Sequence, residues 1–134
     1  MTMIDLADFK MGWRPNQFFA APAGYEARAQ PMATVPDYQA SVEELEAAFR
    51  TIALAAPRVS VVGEDAAHHR VDFVQRSALF KFPDTISVQF LDRGEGRSSL
   101  AIYSRAHVGI GDMGVNKKRV LGWLAALKEK LGEG

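Results

Sequence analysis

Three segments of the chain alternate apolar and polar residues with a period of two, and short connections separate them: Arg70–Arg76 (RVDFVQR), Thr85–Leu91 and Ser99–Arg105. In an extended chain that period places Val71 and Phe73, then Ile86, Val88 and Phe90, then Leu100 and Ile102, on one side. The connections, Phe80–Asp84 (FKFPD) and the two-glycine stretch DRGEGRSS, are too short for a parallel return, which needs a dozen or more residues. With Arg58–Val62, which runs into a turn signal at Gly63-Glu64-Asp65, the segments predict a four-stranded antiparallel meander. A short strand within Tyr25–Gln30 would make a fifth.

A sheet with one apolar face needs a covering layer, and two helical segments supply it. Ser41 and Glu44 have the spacing of a capping box, after which Val42, Leu45, Phe49 and Ile52 share a helical face until Pro57. Near the end of the chain Val120, Leu124, Leu127 and Leu131 recur at helical spacing, with Leu121 and Trp123 beside them, and Gly132 terminates the run. The expected fold is an α+β two-layer domain, order (β)-α-β-β-β-β-α, with a four- to five-stranded antiparallel meander under two helices. The far face of the sheet is expected to be open, displaying Arg70, Asp72, Arg76, Gln89, Tyr103 and Arg105. Residues 1–40, punctuated by Pro15, Pro22, Pro31 and Pro36, read as an irregular arm of a single 1–134 domain. Trp13, Phe18 and Phe19 would pin that arm across the core.

Between the last strand and the last helix lies GIGDMG, Gly109–Gly114, which as a string matches the dinucleotide-binding fingerprint. That fingerprint requires a βαβ unit with a second parallel strand beyond the helix and an acidic residue about 20 positions on. No strand follows here, and the acid nearest that spacing, Glu133, falls in the terminal tail. A nucleotide cofactor is therefore not expected. Asn116 reads as an N-cap, with Lys117, Lys118 and Arg119 in the first turn, where cations oppose the helix dipole. Either Asp112 compensates them within a structural turn, or a bound anion does so.

The remaining chemistry is sparse. The absence of cysteine excludes disulfides, a zinc ribbon and a thiol nucleophile. His68 and His69 have no carboxylate–histidine spacing around them, so no metal site is expected. His107 stands alone after the last strand, and Ser77 and Ser104 lack a nucleophile elbow. Sixteen basic residues balance sixteen acidic ones, which removes a global pull toward nucleic acid. No segment approaches the length of apolar chain that spans a bilayer. Met1–Phe19 has no basic region followed by an unbroken apolar stretch, so no leader is expected and a cytoplasmic protein is the default.

Several motifs are shared with a known family. R-P-N at Arg14–Asn16, Q-R-S at Gln75–Ser77, F-P-D at Phe82–Asp84 and Y-S-R-x-x-x-G-x-x-D-x-G-V-N-x-x-R-V-x-x-W-L from Tyr103 to Leu124 resemble family 1499 of the domains of unknown function. The resemblance spans roughly residues 14–131. It implies no activity and no catalytic residues, and marks Arg105, Asp112, Asn116 and Arg119, with Ser77 and Asp84, as characteristic polar positions. Where relatives typically carry a serine and then an aromatic-serine pair, this chain has Ala106 and Ile110-Gly111, so the resemblance implies no role for a loop serine here.

Three functional expectations follow. The first is a small non-enzymatic binding or accessory domain for a protein partner or small anionic ligand, with its site at Arg105, Asp112, Gly114, Asn116, Lys117, Lys118 and Arg119, or on the polar sheet face at Arg76, Ser77 and Tyr103. The second is an enzyme or carrier for a phosphate- or carboxylate-bearing metabolite, with Arg105, Lys117, Lys118 and Arg119 as anion clamp and Asp112 or His107 as acid/base. The third is a homo-oligomer joined through the open sheet face.

Overall fold

The computed structural model describes residues 3–13, 15–108 and 114–133. Six strands form one sheet: β1 (Gln17–Pro22), β2 (Ala33–Val35), β3 (Val59–Asp65), β4 (Arg70–Arg76), β5 (Pro83–Gly94) and β6 (Arg97–Ala106). Helix α1 (Val42–Ala55) lies between β2 and β3, and α2 (Val115–Leu131) follows β6. The spatial order is β2-β1-β6-β5-β4-β3. Every neighbouring pair is antiparallel except β1 and β2, which run parallel. The two-layer α+β class is as expected, but the sheet is mixed and larger.

Both additional strands come from the segment expected to be irregular. No strand forms over Tyr25–Gln30; β1 pairs with β6 through Phe19–Tyr103 and Ala20–Ile102, and β2 extends the sheet from β1. The meander also runs further than its alternation suggests. Gly63 to Asp65 stay within β3, where a bulge between Val61 and Gly63 absorbs the turn signal. The eight-residue loop expected between β5 and β6 contracts to a tight turn, with Gly94, Glu95 and Gly96 all at positive φ.

The capping box forms in both directions: Glu44 N–H donates to Ser41 Oγ (3.1 Å) and Ser41 N–H to Glu44 Oε1 (3.0 Å). The seven strand residues expected in the core are all there, packed with Phe18, Leu45, Phe49, Val120, Trp123 and Leu127 beneath the two helices. Phe49 sits at the centre, its ring 5.6 Å from those of Phe73, Phe90 and Trp123.

The opposite face is not open. A second apolar cluster joins Phe19, Ala21, Ala101 and Tyr103 of the sheet to Leu6 and Ala29, with Ile4, Phe9, Met11 and Tyr25 packed against it. The arm is tied down by Arg28 N–H donating to the Ala7 carbonyl and by the Tyr25 hydroxyl donating to Gln89 Oε1. The reason is chemical: Phe19, Ala21, Ala101 and Tyr103 make the middle of this face apolar, so it too needs a cover. Phe18 and Phe19 anchor the arm as expected, but Trp13 is 78% exposed. The surface proposed for self-association around Tyr103 is thus taken by the chain's own arm.

Candidate functional site

The end of the sheet where β4, β6 and the start of β5 meet gathers most of the polar positions singled out in the sequence. Side chains alternate across the sheet, so Ser104 points toward the helices and its neighbours Tyr103 and Arg105 point away. Asn116 and Arg119, three apart on α2, share the helix face that descends onto Ser104.

There they form a closed network. The Ser104 hydroxyl donates to Asn116 Oδ1 (2.6 Å), and Arg119 Nη1 donates to both Ser104 Oγ (2.9 Å) and Asn116 Oδ1 (2.8 Å). Arg119 Nη2 reaches Asp84 Oδ2 at 2.9 Å, and Arg119 Nε reaches Gln75 Oε1 at 2.6 Å. Asn116 Nδ2 donates to the Asn16 carbonyl, which also accepts the Ala106 N–H. One arginine thereby joins α2 to β4, β5 and β6, and one asparagine joins it to the entry of β1. Ser104 and Asn116 are wholly buried, and a group at that depth is tolerated only when its hydrogen bonds are made.

Helix α2 begins differently from expectation. Its N-cap is Gly114, left-handed at φ 79° and without a side-chain cap, while Asn116 lies inside the helix. Lys117 and Lys118 are exposed in the first turn. Gly109–Met113, including Asp112, lies outside the described residues.

Beside the network opens a cavity of about 380 Å³, lined by Arg58, Arg76, Phe82, Asp84, Val115 and Arg119 among others. Ser77 is in its wall, where its hydroxyl accepts the Phe82 N–H (3.0 Å). Arg58 stands at φ 59°, a left-handed backbone unusual for a residue with a Cβ, and its Nε donates to the Arg76 carbonyl (2.9 Å). Arg76 Nη1 donates to the Lys81 carbonyl (3.0 Å). Among the described residues no carboxylate pairs with Arg58 or Arg76, since Asp84 is held by Arg119. Arg58 carries no motif, and its position after Pro57 gives no sign of this role.

Arg105 belongs to the other face. Its guanidinium lies 4.8 Å from the centroid of the Tyr103 ring, and its Nη1 donates to Ser87 Oγ (3.1 Å). Tyr103 is buried, stacked on Phe9 at 4.4 Å, with its hydroxyl donating to Gln17 Oε1. Burial lowers the pKa of Arg105, opposed by Tyr103 and Asp72, and raises that of Tyr103, opposed by Arg105. Arg105 and Arg119 therefore flank opposite faces of β6 and cannot close on one small anion. His107 Nε2 lies 2.6 Å from Thr85 Oγ1, and burial with the nearby Arg105 charge lowers its pKa. Thr85 is buried, whereas His107 is exposed and lines the adjoining cavity of about 260 Å³ together with Trp13, Gln17 and Arg105. His68 pairs with Asp65 at the far end of the sheet. Among the described residues no three His, Asp or Glu side chains converge to hold a metal ion.

The motif that builds the network, from Tyr103 through Asn116 and Arg119 to Leu124, lies within a match to a protein family of unknown function, DUF1499, over residues 11–127. The chain belongs to the DUF1499 family. No curated protein matches it. In this DUF1499 domain Asn116 and Arg119 hold the last helix on the sheet. No helix of the described residues is long and apolar enough to cross a membrane.

Proposed function

We propose that this DUF1499 domain is a non-enzymatic binding domain whose site is the cavity at the β4–β5–α2 end of the sheet, and that its ligand carries a phosphate or carboxylate. The observation that carries the reading is the pair Arg58 and Arg76, two guanidinium groups at one cavity without a carboxylate partner among the described residues. A phosphate or carboxylate is the natural counterion for two guanidinium groups that border one cavity. The left-handed backbone at Arg58 supports it, because strain of about 1–3 kcal/mol persists where the surroundings impose it, often at ligand sites. Phe82, Val108 and Val115 give the same cavity an apolar wall, so the ligand combines an anionic head with an apolar portion. Lys117 and Lys118 are exposed in the first turn of α2 and do not line this cavity.

Differential scanning fluorimetry with inorganic phosphate, short-chain phosphomonoesters and carboxylates tests this. Saturating ligand is expected to raise Tm by about 2 °C or more, since binding only to the folded state must stabilise it. The shift should vanish in Arg58→Gln/Arg76→Gln. No shift with any anion, or an equal shift in the variant, overturns the reading. The enzymatic alternative would need an acid/base beside this cavity; turnover of a bound phosphomonoester would favour it.

A further inference from the structure

Six of the ten large apolar side chains exposed among the described residues gather at this same end of the domain: Trp13, Leu79, Phe80, Phe82, Val108 and Val115. Phe82, Val108 and Val115 border the cavity, and Trp13 borders its neighbour, the two sharing Ala106. Leu79 and Phe80 border neither. They form the tip of the β4–β5 connection, 77% and 66% exposed, with Phe80 stacked on Phe82 at 5.4 Å. An exposed apolar cluster of this kind marks an interaction surface.

The chemistry of the tip identifies the partner. Four hydrogen bonds close the loop on itself and hold the tip in a fixed shape: Ser77 N–H donates to the Phe82 carbonyl, Phe82 N–H to Ser77 Oγ, Lys81 Nζ to the Ala78 carbonyl and Arg76 Nη1 to the Lys81 carbonyl. A loop closed at its base presents Leu79 and Phe80 as a fixed apolar projection, and apolar side chains of that kind gain free energy on leaving water for a lipid layer. Beside the tip stand Arg58, Arg76 and Lys81, none paired with a carboxylate among the described residues. In a chain of zero formal net charge, that makes a local basic collar around a projecting apolar tip. Tryptophan favours the headgroup level, phenylalanine and leucine the acyl chains beneath it, and long basic side chains keep their heads among the headgroups.

We infer that this end of the domain docks on an anionic lipid surface, with Leu79 and Phe80 entering the layer and Arg58 and Arg76 receiving a lipid phosphate in the cavity. The second half rests on the anion site proposed above; the first does not.

Sedimentation of the full chain with vesicles of phosphatidylcholine alone, or of phosphatidylcholine mixed with phosphatidylglycerol, reads both. Binding is expected to the mixed vesicles, to weaken as salt is raised, and to be absent on phosphatidylcholine. Leu79→Ser/Phe80→Ser should lower the partition at least about tenfold while keeping the phosphate-induced Tm shift, since two apolar side chains no longer leave water. Arg58→Gln/Arg76→Gln should lose both readouts. If the parent ignores anionic vesicles yet phosphate still raises its Tm, membrane docking fails and the anion site stands. Vesicle binding without any phosphate shift keeps the docking and removes the cavity phosphate. Equal vesicle binding by the tip variant overturns the proposal, as does a solution dimer that Leu79→Ser dissociates.

Discussion

Arg119 is the residue where a structural and a ligand-binding role predict opposite results. Its guanidinium donates to Gln75, Ser104, Asn116 and Asp84, and its side chain is only 8% exposed. Substituting Arg119→Met keeps the aliphatic stem and removes every donor. Asp84, 16% exposed, then keeps a charge with no partner, and breaking one side of a buried pair costs about 3–5 kcal/mol. Ser104 and Asn116 still bond to each other, so the lower half of that range is the expectation. For a domain of this size 1 kcal/mol moves Tm by about 3–5 °C, giving a fall of roughly 10–15 °C. Urea denaturation should show a lower midpoint with an unchanged slope. The double variant Arg119→Met/Asp84→Leu should recover part of the loss, because no carboxylate is left stranded, and the cycle should return a coupling of more than about 1 kcal/mol. A charged group kept for a ligand behaves differently: removing it costs little or stabilises the protein. A loss below about 1 kcal/mol for Arg119→Met, or strict additivity with Asp84→Leu, would refute the lock and return Arg119 to the cavity as a ligand contact.

Three further outcomes are expected. Gly114→Ala should lower stability by about 1 kcal/mol, read by chemical denaturation, because φ at 79° strains any L side chain although no atom of the described residues lies within 4 Å of the new Cβ. Ser41→Ala should cost about 1 kcal/mol and fray the start of α1, seen as faster amide exchange at Glu44, whose N–H loses its acceptor. Asp72 is buried, one of its carboxylate oxygens has no hydrogen-bond partner among the described residues, and burial raises its pKa against the opposing effects of Ser87 and Arg105. A raised folded-state pKa means that the carboxyl destabilises the fold progressively as pH climbs past the ordinary carboxylate range. Asp72→Asn should therefore raise Tm at pH 7, with the gain shrinking as pH approaches 4; a gain independent of pH would contradict this account.

What the sequence disclosed follows the physics of each element. The meander was legible because β4, β5 and β6 bury an unbroken apolar row on the helix side, and α1 because Ser41 and Glu44 cap it reciprocally. β1 was not legible: Gln17–Pro22 is buried on both faces, so it lacks alternation, and the prolines around it read as breakers. Its loss hid the arm's role, since the second apolar cluster exists only once Phe19 and Ala21 are set beside Ala101 and Tyr103. At the site, Asn116 and Arg119 were visible as polar positions on an otherwise apolar helix face. Their partners were not, because Asp84 lies 35 residues from Arg119 and only sheet register brings it near. Arg58 had no signal at all; its importance comes from a backbone angle and a neighbour on the next strand.

The neutral composition conceals an asymmetry of pairing. At the far end of the sheet cations are matched: Arg93 and Arg97 share Asp37, and Arg50 reaches both Glu46 and Glu64. At the near end the single described carboxylate beside the cavity, Asp84, is committed to Arg119, which leaves Arg58, Arg76 and the nearby Lys81 to set the local potential. The lock and the proposed site are thus coupled through one acid. Holding α2 in place removes Asp84 from the cavity's electrostatics, and it does so without adding a single basic residue to the chain. Asp84→Asn tests the coupling, since it weakens the lock yet leaves the cavity no more negative. If the proposed site is real, phosphate should bind this destabilised variant as tightly as the parent, whereas a fluorimetric phosphate shift lost together with stability would mean that Asp84 itself shapes the site.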